Sequence, residues 1–529
     1  MSKILSGLLA LSVFLGAATA SASPISTSAA SQSKQQEQKW IGAWATSQQQ
    51  TYPSGISNDG FKNQTVRMIV HPHASGSELR LRFSNYYGTQ PLTFGEVKVA
   101  LADEEMKTVT GTDRSITFAG ESSVTIPAGE EIFSDTVTFS VTEGRDLAVS
   151  VYIPGNSGPA TWHSLSNQTT YYSTEGNQVS EHDGASFTEA ANSWFWLRGV
   201  DVLTDDPNAR VIVTLGDSIT DGDLSTLNMN HRYPDYLADR LQEHFPDQEF
   251  SVLNAGISGN RITADLPLNG QRAIDRLERD VLSQTGVTDV ILLQGTNDIA
   301  KMPHNYDADE IIDGMKRIAN RAHEKGLRIY AGTILPFRDA SYLQYEWTFT
   351  EEGEITRKKI NEWIRSNDVF DGVIDFDQAI RDPKDQERML PAYDSGDHVH
   401  PNDAGYKAMA EAIDLSLFEA GQPSSPAKDN KLTVFINGDE LASPANHLAA
   451  SGKTYVSVEK FADFFDKDFS YHKDTMTVRF NGKTIGNVKT IDGIPTVWIR
   501  DLAAAVGAES VKWDKQYLDV YVSVPATMQ

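Results

Sequence analysis

Between Trp40 and about Leu203, apolar and polar residues alternate in short runs. Leu79, Leu81 and Phe83 alternate with Arg80, Arg82 and Ser84, and Asn85-Tyr86-Tyr87-Gly88 then turns the chain. Val97, Val99 and Leu101 repeat the pattern, as do Val124 and Ile126 ahead of Pro127-Ala128-Gly129, and Leu147, Val149, Val151 and Ile153. Side chains two apart share one face of a strand, so these runs predict half-buried strands. Punctuated by Gly, Pro and Asn, and with no sustained helical stripe, residues 39–205 read as a β-sandwich or jelly roll.

Near residue 208 the period changes. Apolar runs Val211–Leu215, Phe250–Leu253, Val290–Leu293, Leu327–Thr333 and Val373–Phe376 are separated by stripes that step by three or four. These stripes are Tyr233/Leu237/Leu241, Ile311/Met315/Ile318/Ala322 and Tyr406/Met409/Ile413/Leu417. Strands alternating with amphipathic helices predict an α/β domain over 206–420, a parallel sheet with helices on both faces. Ligands of such sheets sit at the carboxyl ends of the strands. Gly421-Gln422-Pro423-Ser424-Ser425-Pro426 marks a linker over 421–430. Residues 431–525 then hold a diverged repeat. Tyr455–Val458, Phe461, Tyr471–Asp474 and Met476–Phe480 recur as Thr496–Ile499, Leu502, Trp513–Gln516 and Leu518–Val522. Each copy predicts strand, short helix and hairpin, hence a small α+β domain.

At the N-terminus, Lys3 precedes an apolar run from Ile4 to Ala18, followed by Ala18-Thr19-Ala20 and Ala20-Ser21-Ala22. That is the layout of a secretory signal peptide over 1–22. The run is shorter than the roughly 20 residues a membrane span needs. Residues 23–38, rich in Ser, Gln and Ala, read as a flexible lead-in. The expectation is a secreted, extracellular protein with no transmembrane segment, whose C-terminal domain contacts a cell surface.

Composition narrows the chemistry. The chain of 529 residues has length for three or four domains, at about 150 residues each. Seventy-two acidic against 46 basic residues give a net charge of −26, which repels nucleic acid and anionic lipid. There is no Cys, so disulfides, thiolate metal sites and a Cys nucleophile are excluded.

Four short blocks of the α/β region carry candidate chemistry: Gly216-Asp217-Ser218-Ile219-Thr220-Asp221-Gly222, Asn254-Ala255-Gly256-Ile257-Ser258-Gly259-Asn260, Gly295-Thr296-Asn297-Asp298, and Asp397-His398-Val399-His400-Pro401. Each follows a strand or precedes a helix, so all four can meet at one rim of the sheet. Together they resemble the SGNH subgroup of GDSL-type ester hydrolases over about residues 208–418, with Ser218, Gly259, Asn297 and His400 as the four namesake residues. The preceding β region, including Trp162-His163, is similar to the N-terminal module of a secreted subset of that family. The tail resembles the repeat domain named after the N-terminal region of copper amine oxidases. That label implies no copper here, where His447 and His472 are the histidines.

The residue types support the same roles. A serine hydroxyl is a weak nucleophile until a base takes its proton. His400 is the candidate base for Ser218, and Asp397, three residues earlier, can hold the other ring nitrogen. The backbone N–H of Ser218, that of Gly259 and the side-chain amide of Asn297 are candidate oxyanion donors. Asp217, Asn254 and Asp298 are expected to brace the loops. The G-x-S-x-G elbow of α/β-hydrolases is missing, since the last glycine of Gly256-Ile257-Ser258-Gly259 comes one position early. In isolation Asp217 and Ser218 could only cap a helix, and Asn297-Asp298 could only start one. Asp397, His398 and His400 could instead bind a metal. His71 and His73 read as core or surface histidines, and Trp40, Trp44, Trp194 and Trp196 as core rather than sugar platforms.

The reading is a serine ester hydrolase acting through an acyl-enzyme, with neither metal nor organic cofactor. The expected substrate carries short acyl groups on polysaccharide or another small ester. The alternatives are an arylesterase or lipase-type enzyme and, from another class, a non-catalytic glycan-binding surface protein.

Overall fold

The computed structural model describes residues 38–342, 347–419 and most of 433–525. The expected leader over 1–22, the lead-in up to Glu37 and the linker over 421–430 lie outside the described residues. No described helix is long and apolar enough to cross a membrane.

The alternating runs of the N-terminal region form strands in two antiparallel sheets. One joins Lys39–Ala45, Leu197–Thr204 and Gly76–Ser84, with Glu131–Phe133 and Val137–Val141 both paired to the last. The other runs in the order Phe187–Ala191, Thr170–Ser173, Lys62–Val70, Leu147–Asn156, Glu96–Leu101 and Arg114–Ile116. Both sheets feed one apolar cluster, to which Val66, Met68, Leu81, Phe83, Val149, Val151, Val200 and Val202 belong. Phe61, Phe195 and Trp196 meet edge-on or tilted within it. The alternation breaks where the second face is also covered. Arg82 is buried rather than exposed, beside Asp201 at 3.4 Å and over the Phe133 ring. Ala148 is buried too, because a second small cluster with Ile69, Tyr171 and Phe187 covers the far side of its sheet.

Five parallel strands make the α/β sheet: Arg210–Gly216, Phe250–Gly256, Val287–Leu293, Arg328–Gly332 and Gly372–Ile374, in the spatial order 2-1-3-4-5. Helices cover both faces, so the strands are near-continuous apolar runs. Ile212, Val252 and Ile291 point toward Leu237, Leu241, Tyr406 and Met409 of helices Tyr233–His244 and Asp403–Glu411. Val211, Val213, Leu253 and Val290 belong to the opposite core, with Ile311, Met315 and Ile318 of helix Ala308–Glu324. The register pairs Gly216 with Gly256 on one side and Leu293 on the other, so three loops leave the sheet at the same height.

Two expected elements end early. The run Val373–Phe376 is a strand only to Ile374, because the Asp375 side chain accepts the Gln378 amide and starts a helix at Phe376. The stripe from Tyr406 to Leu417 is helical only to Glu411, and Asp414 then caps a short 3-10 turn over Leu415–Phe418. Helix Glu351–Ser366 was not apparent in the periodicity. Its inner face carries a buried ion pair, Glu354 with Arg357 at 2.7 Å, where apolar residues would have marked a stripe.

The β region and the α/β sheet share one core. Strand Lys39–Ala45 lies against Phe250–Gly256, the Gly42 amide donates to Thr285 O at 2.9 Å, and a Cβ on Gly42 would stand 2.8 Å from Leu253 Cδ1. In the tail, the two copies place strand then helix over Thr454–Ser457 and Val458–Phe464, and over Ile494–Trp498 and Ile499–Ala505. The two strands pair antiparallel above a separate core containing Val456, Phe461, Phe480, Val497 and Leu502.

Removing Leu253 from the seam therefore weakens both regions. Leu253→Ala should lower the unfolding free energy by about 2–5 kcal/mol, with residues 39–419 still melting in one transition by calorimetry. A separate early transition of the β region would show that the seam does not couple them.

Candidate active site

Strand Arg210–Gly216 ends in a tight turn. Asp217 caps the helical turn Ser218–Asp221, its Oδ1 accepting the Ile219 amide at 3.0 Å. The neighbouring strand must come close to hold this turn: a Cβ on Gly256 would lie 2.3 Å from the Asp221 nitrogen. Ser218 and Asn297 follow adjacent strands whose connections run to opposite sides, the crevice where ligands of open α/β sheets bind.

Ser218, His400 and Asp397 form a continuous hydrogen-bonded chain. His400 Nδ1 lies 2.6 Å from Asp397 Oδ2, and His400 Nε2 lies 2.8 Å from Ser218 Oγ. Asp397 Oδ1 accepts the backbone amides of Val399 and His400, both at 2.8 Å. Its Oδ2 also accepts the Tyr342 hydroxyl. Burial alone would push Asp397 up, but His400 and Tyr342 outweigh it and hold the carboxyl well below its ordinary range. The ionised carboxylate accepts only, so Nδ1 carries the hydrogen and Nε2 of the neutral ring is free to accept from Ser218. Burial resists charge on His400; the bond to Asp397 and the carboxylates of Asp223 and Asp217 overcome that and raise its pKa above the ordinary histidine value. Asp223 Oδ2 stands 3.8 Å from Nε2.

Asn297 sits in the first turn of helix Thr296–Ala300. The Trp347 indole donates to its Oδ1 at 3.0 Å. An indole N–H can only donate, so this contact fixes the amide with Nδ2 on the other side. Nδ2 reaches Asp217 Oδ2 and Asn260 O, both at 3.3 Å, longer than the usual 2.9–3.0 Å. A developing alkoxide could compete with such contacts. Gly259 has φ +76°, and a Cβ there would stand 2.2 Å from the Asn269 amide nitrogen, so only glycine fits. Asn269 in turn donates to Ser258 O at 2.8 Å and accepts from Lys301 Nζ at 2.6 Å.

The remaining acids and amide hold backbone. Asn254 donates to Thr220 O at 2.7 Å and accepts the Gly256 amide at 2.8 Å. Asp298 accepts the amides of Ile262 and Thr263 at 3.0 and 2.9 Å. Burial drives Asp217 up to about 7 and raises Asp298 as well.

The structure separates the components of the alternative metal cluster. His398 turns to Asp394, 2.6 Å from Nδ1, while both nitrogens of His400 are engaged by Asp397 and Ser218. Among the described residues no group of three or more His, Asp or Glu is arranged to hold a metal ion. His73 is buried with Nδ1 2.6 Å from Val252 O, and His71 faces Asp146. Trp44, Trp194 and Trp196 are buried. Sequence reasoning missed Tyr342, Trp347 and Asp223. The first two stand on the strand pair Ser341–Tyr342 and Trp347–Thr348, and no spacing ties them to the four blocks.

Residues 214–408 match the model of the GDSL-like Lipase/Acylhydrolase family. No curated protein matches the chain. Solved structures that resemble it include a carbohydrate acetylesterase from Sinorhizobium meliloti, at 16% identity over 39% of this chain and 96% of that one, with a TM-score of 0.32. An aryl esterase of M. smegmatis aligns at 17% identity over 38% and 95% of the two chains, with a TM-score of 0.32. A GDSL-like lipase from Bacteroides thetaiotaomicron aligns at 19% identity over 40% and 88%, with a TM-score of 0.29. All four blocks lie within residues 214–408, the stretch that matches the GDSL-like Lipase/Acylhydrolase family model.

Proposed function

We propose that the protein is a secreted serine ester hydrolase that works through an acyl-enzyme. The observation that carries this reading is the chain from Asp397 through His400 to Ser218, at 2.6 and 2.8 Å. As Ser218 Oγ adds to the ester carbonyl, its proton passes to His400 Nε2, and Asp397 stabilises the resulting imidazolium. The carbonyl oxygen becomes an alkoxide facing Asn297 Nδ2 and the amides of Gly259 and Ser218. Collapse expels the alcohol, which takes the proton from His400. Water then repeats the sequence: His400 removes its proton, the acyl–Ser218 bond breaks, and Oγ recovers a proton as the acid leaves. Every proton is accounted for by His400, so no cofactor enters.

The preferred substrates are short acyl groups, acetyl above all, on polysaccharide or other small esters. The support is the N-terminal leader pattern and the β region that accompanies the domain. A second reading, esters with an apolar acyl or alcohol part, is favoured by exposed Leu224, Leu268 and Met302. Leu224 follows Asp223, which stands 3.8 Å from His400 Nε2; Leu268 precedes Asn269; and Met302 follows Lys301, which donates to Asn269. Acid release from acetylated xylan against medium-chain glycerides separates the two readings. Release confined to the glycerides would reject the polysaccharide one.

Ser218→Ala should fold and show no ester turnover; normal turnover would reject the mechanism. Asn297→Ala should lower kcat by about 10²–10³ with KM little changed. Lost stability with normal kcat would return Asn297 to a turn-shaping role. His400 must be neutral to accept the Ser218 proton, so kcat/KM should fall as pH drops through its raised pKa, above the usual value of about 6.5. Asp397→Asn removes the main support of the charged ring and should move that midpoint to lower pH while reducing the plateau. Chelator should leave the rate unchanged; loss restored by one metal ion would revive the metal site at Asp397, His398 and His400.

A further inference from the structure

His163 belongs to the β region, on a short strand Trp162–His163 paired with Trp194–Phe195, yet its ring faces the α/β domain. It is 1% exposed. Nδ1 lies 2.7 Å from Ser47 O. Nε2 lies 3.0 Å from Leu165 O and 2.9 Å from Asp221 Oδ1. Backbone carbonyls only accept, so Nδ1 must carry a hydrogen, and Nε2, facing a carbonyl and a carboxylate, must carry one too. The ring is then a buried imidazolium paired with Asp221. Burial opposes that charge, but the attraction of Asp221 outweighs it and raises the histidine's pKa.

Asp221 is the last residue of the turn that begins at Ser218. Its other oxygen, Oδ2, accepts the backbone amide of Ser258 at 3.1 Å. Ser258 directly precedes Gly259, and its carbonyl accepts from Asn269 at 2.8 Å. One carboxylate thus joins the serine turn to the loop presenting Gly259, and the β region orients that carboxylate through a single ring. An Asp with two free torsions and no partner would not hold Ser258 in one place. We propose that His163 is a positioning residue for ester cleavage, holding Asp221 so that Ser258, and with it the Gly259 amide, is fixed relative to Ser218. This rests on the ester-hydrolase reading above and adds to it a contribution from outside the domain of residues 214–408.

Two near-isosteric substitutions separate this role from simple packing. In His163→Gln the amide nitrogen occupies the place of Nε2 and still donates to Asp221. In His163→Asn it occupies the place of Nδ1, keeping the bond to Ser47 and losing Asp221. Steady-state turnover of p-nitrophenyl acetate, with thermal unfolding on the same preparations, should show His163→Asn reduced in kcat by about 10–100-fold with KM within about twofold, as expected for a donor displaced by a fraction of an ångström. His163→Gln should recover kcat to within about threefold of wild type. Asp221→Ala, which cuts the chain at the next link, should cost at least as much, and adding His163→Asn to it should cost nothing further. If His163→Asn does not fold, an unchanged kcat in Asp221→Ala still overturns the proposal. Equal kcat in the Asn and Gln variants, a change in KM or stability alone, or additive losses in the double variant would overturn the role of His163 while leaving the ester-hydrolase reading intact. A folded wild-type protein with no ester turnover would overturn both.

Discussion

The hydrogen-bonded chain from Asp397 through His400 to Ser218 requires an ionised carboxylate in a largely dry place, and much of the surrounding structure serves that need. A buried carboxylate without partners would take up a proton instead, and the histidine would lose both its tautomer and its basicity. Asp397 avoids this with two backbone amides, the Tyr342 hydroxyl and the imidazole itself. Asp223, 3.8 Å from Nε2, and Asp217 add negative potential that favours the imidazolium when it forms. Asp217 Oδ2 also stands 3.3 Å from Asn297 Nδ2, and burial pushes that carboxyl up to about 7. In the proposed reaction the oxyanion would face neutral donors, the Gly259 amide and Asn297 Nδ2.

Placing those donors level with Ser218 is a problem of strand ends. Arg276, wholly buried, draws the ends together: Nη2 donates to Gly216 O at 2.9 Å, Nη1 to Ala255 O at 2.8 Å, and Nε to Asn260 Oδ1 at 3.0 Å. Its charge is compensated by Asp280 at 3.3 Å. Nη1 also reaches Ser47 Oγ at 3.1 Å, so the β region meets this knot as well as the one at His163. Gln49 donates to Leu268 O at 2.8 Å, and Tyr87 to Gln271 at 3.2 Å, steadying the loop that carries Asn269. Loops of the N-terminal β region therefore bond directly to the buried arginine and the loop that flank the site.

The four blocks were readable in the sequence because each is a contiguous run just after a strand or just before a helix, where side-chain types and backbone demands coincide. The alternating and three-four periods likewise followed from burial on one face. Reading failed where polar groups stand in for apolar ones. Helix Glu351–Ser366 buries an ion pair, and Arg82 lies inside the sheet against Asp201. It also failed for residues that act singly across the fold. Tyr342 and Trp347 reach Asp397 and Asn297 from a strand pair with no motif of its own. Trp162-His163 stood out only through resemblance, and the bond to Asp221, 58 residues away, exists only in three dimensions.

The most direct test of the central claim is mass spectrometry of the folded protein after reaction with a fluorophosphonate, which traps a serine whose hydroxyl is activated by a neighbouring base. One adduct per chain, located on Ser218 and forming more slowly as pH falls through the His400 titration, is the expected result. An unlabelled Ser218 in protein shown to be folded, or equal labelling of other serines, would contradict the activation of Ser218 by His400.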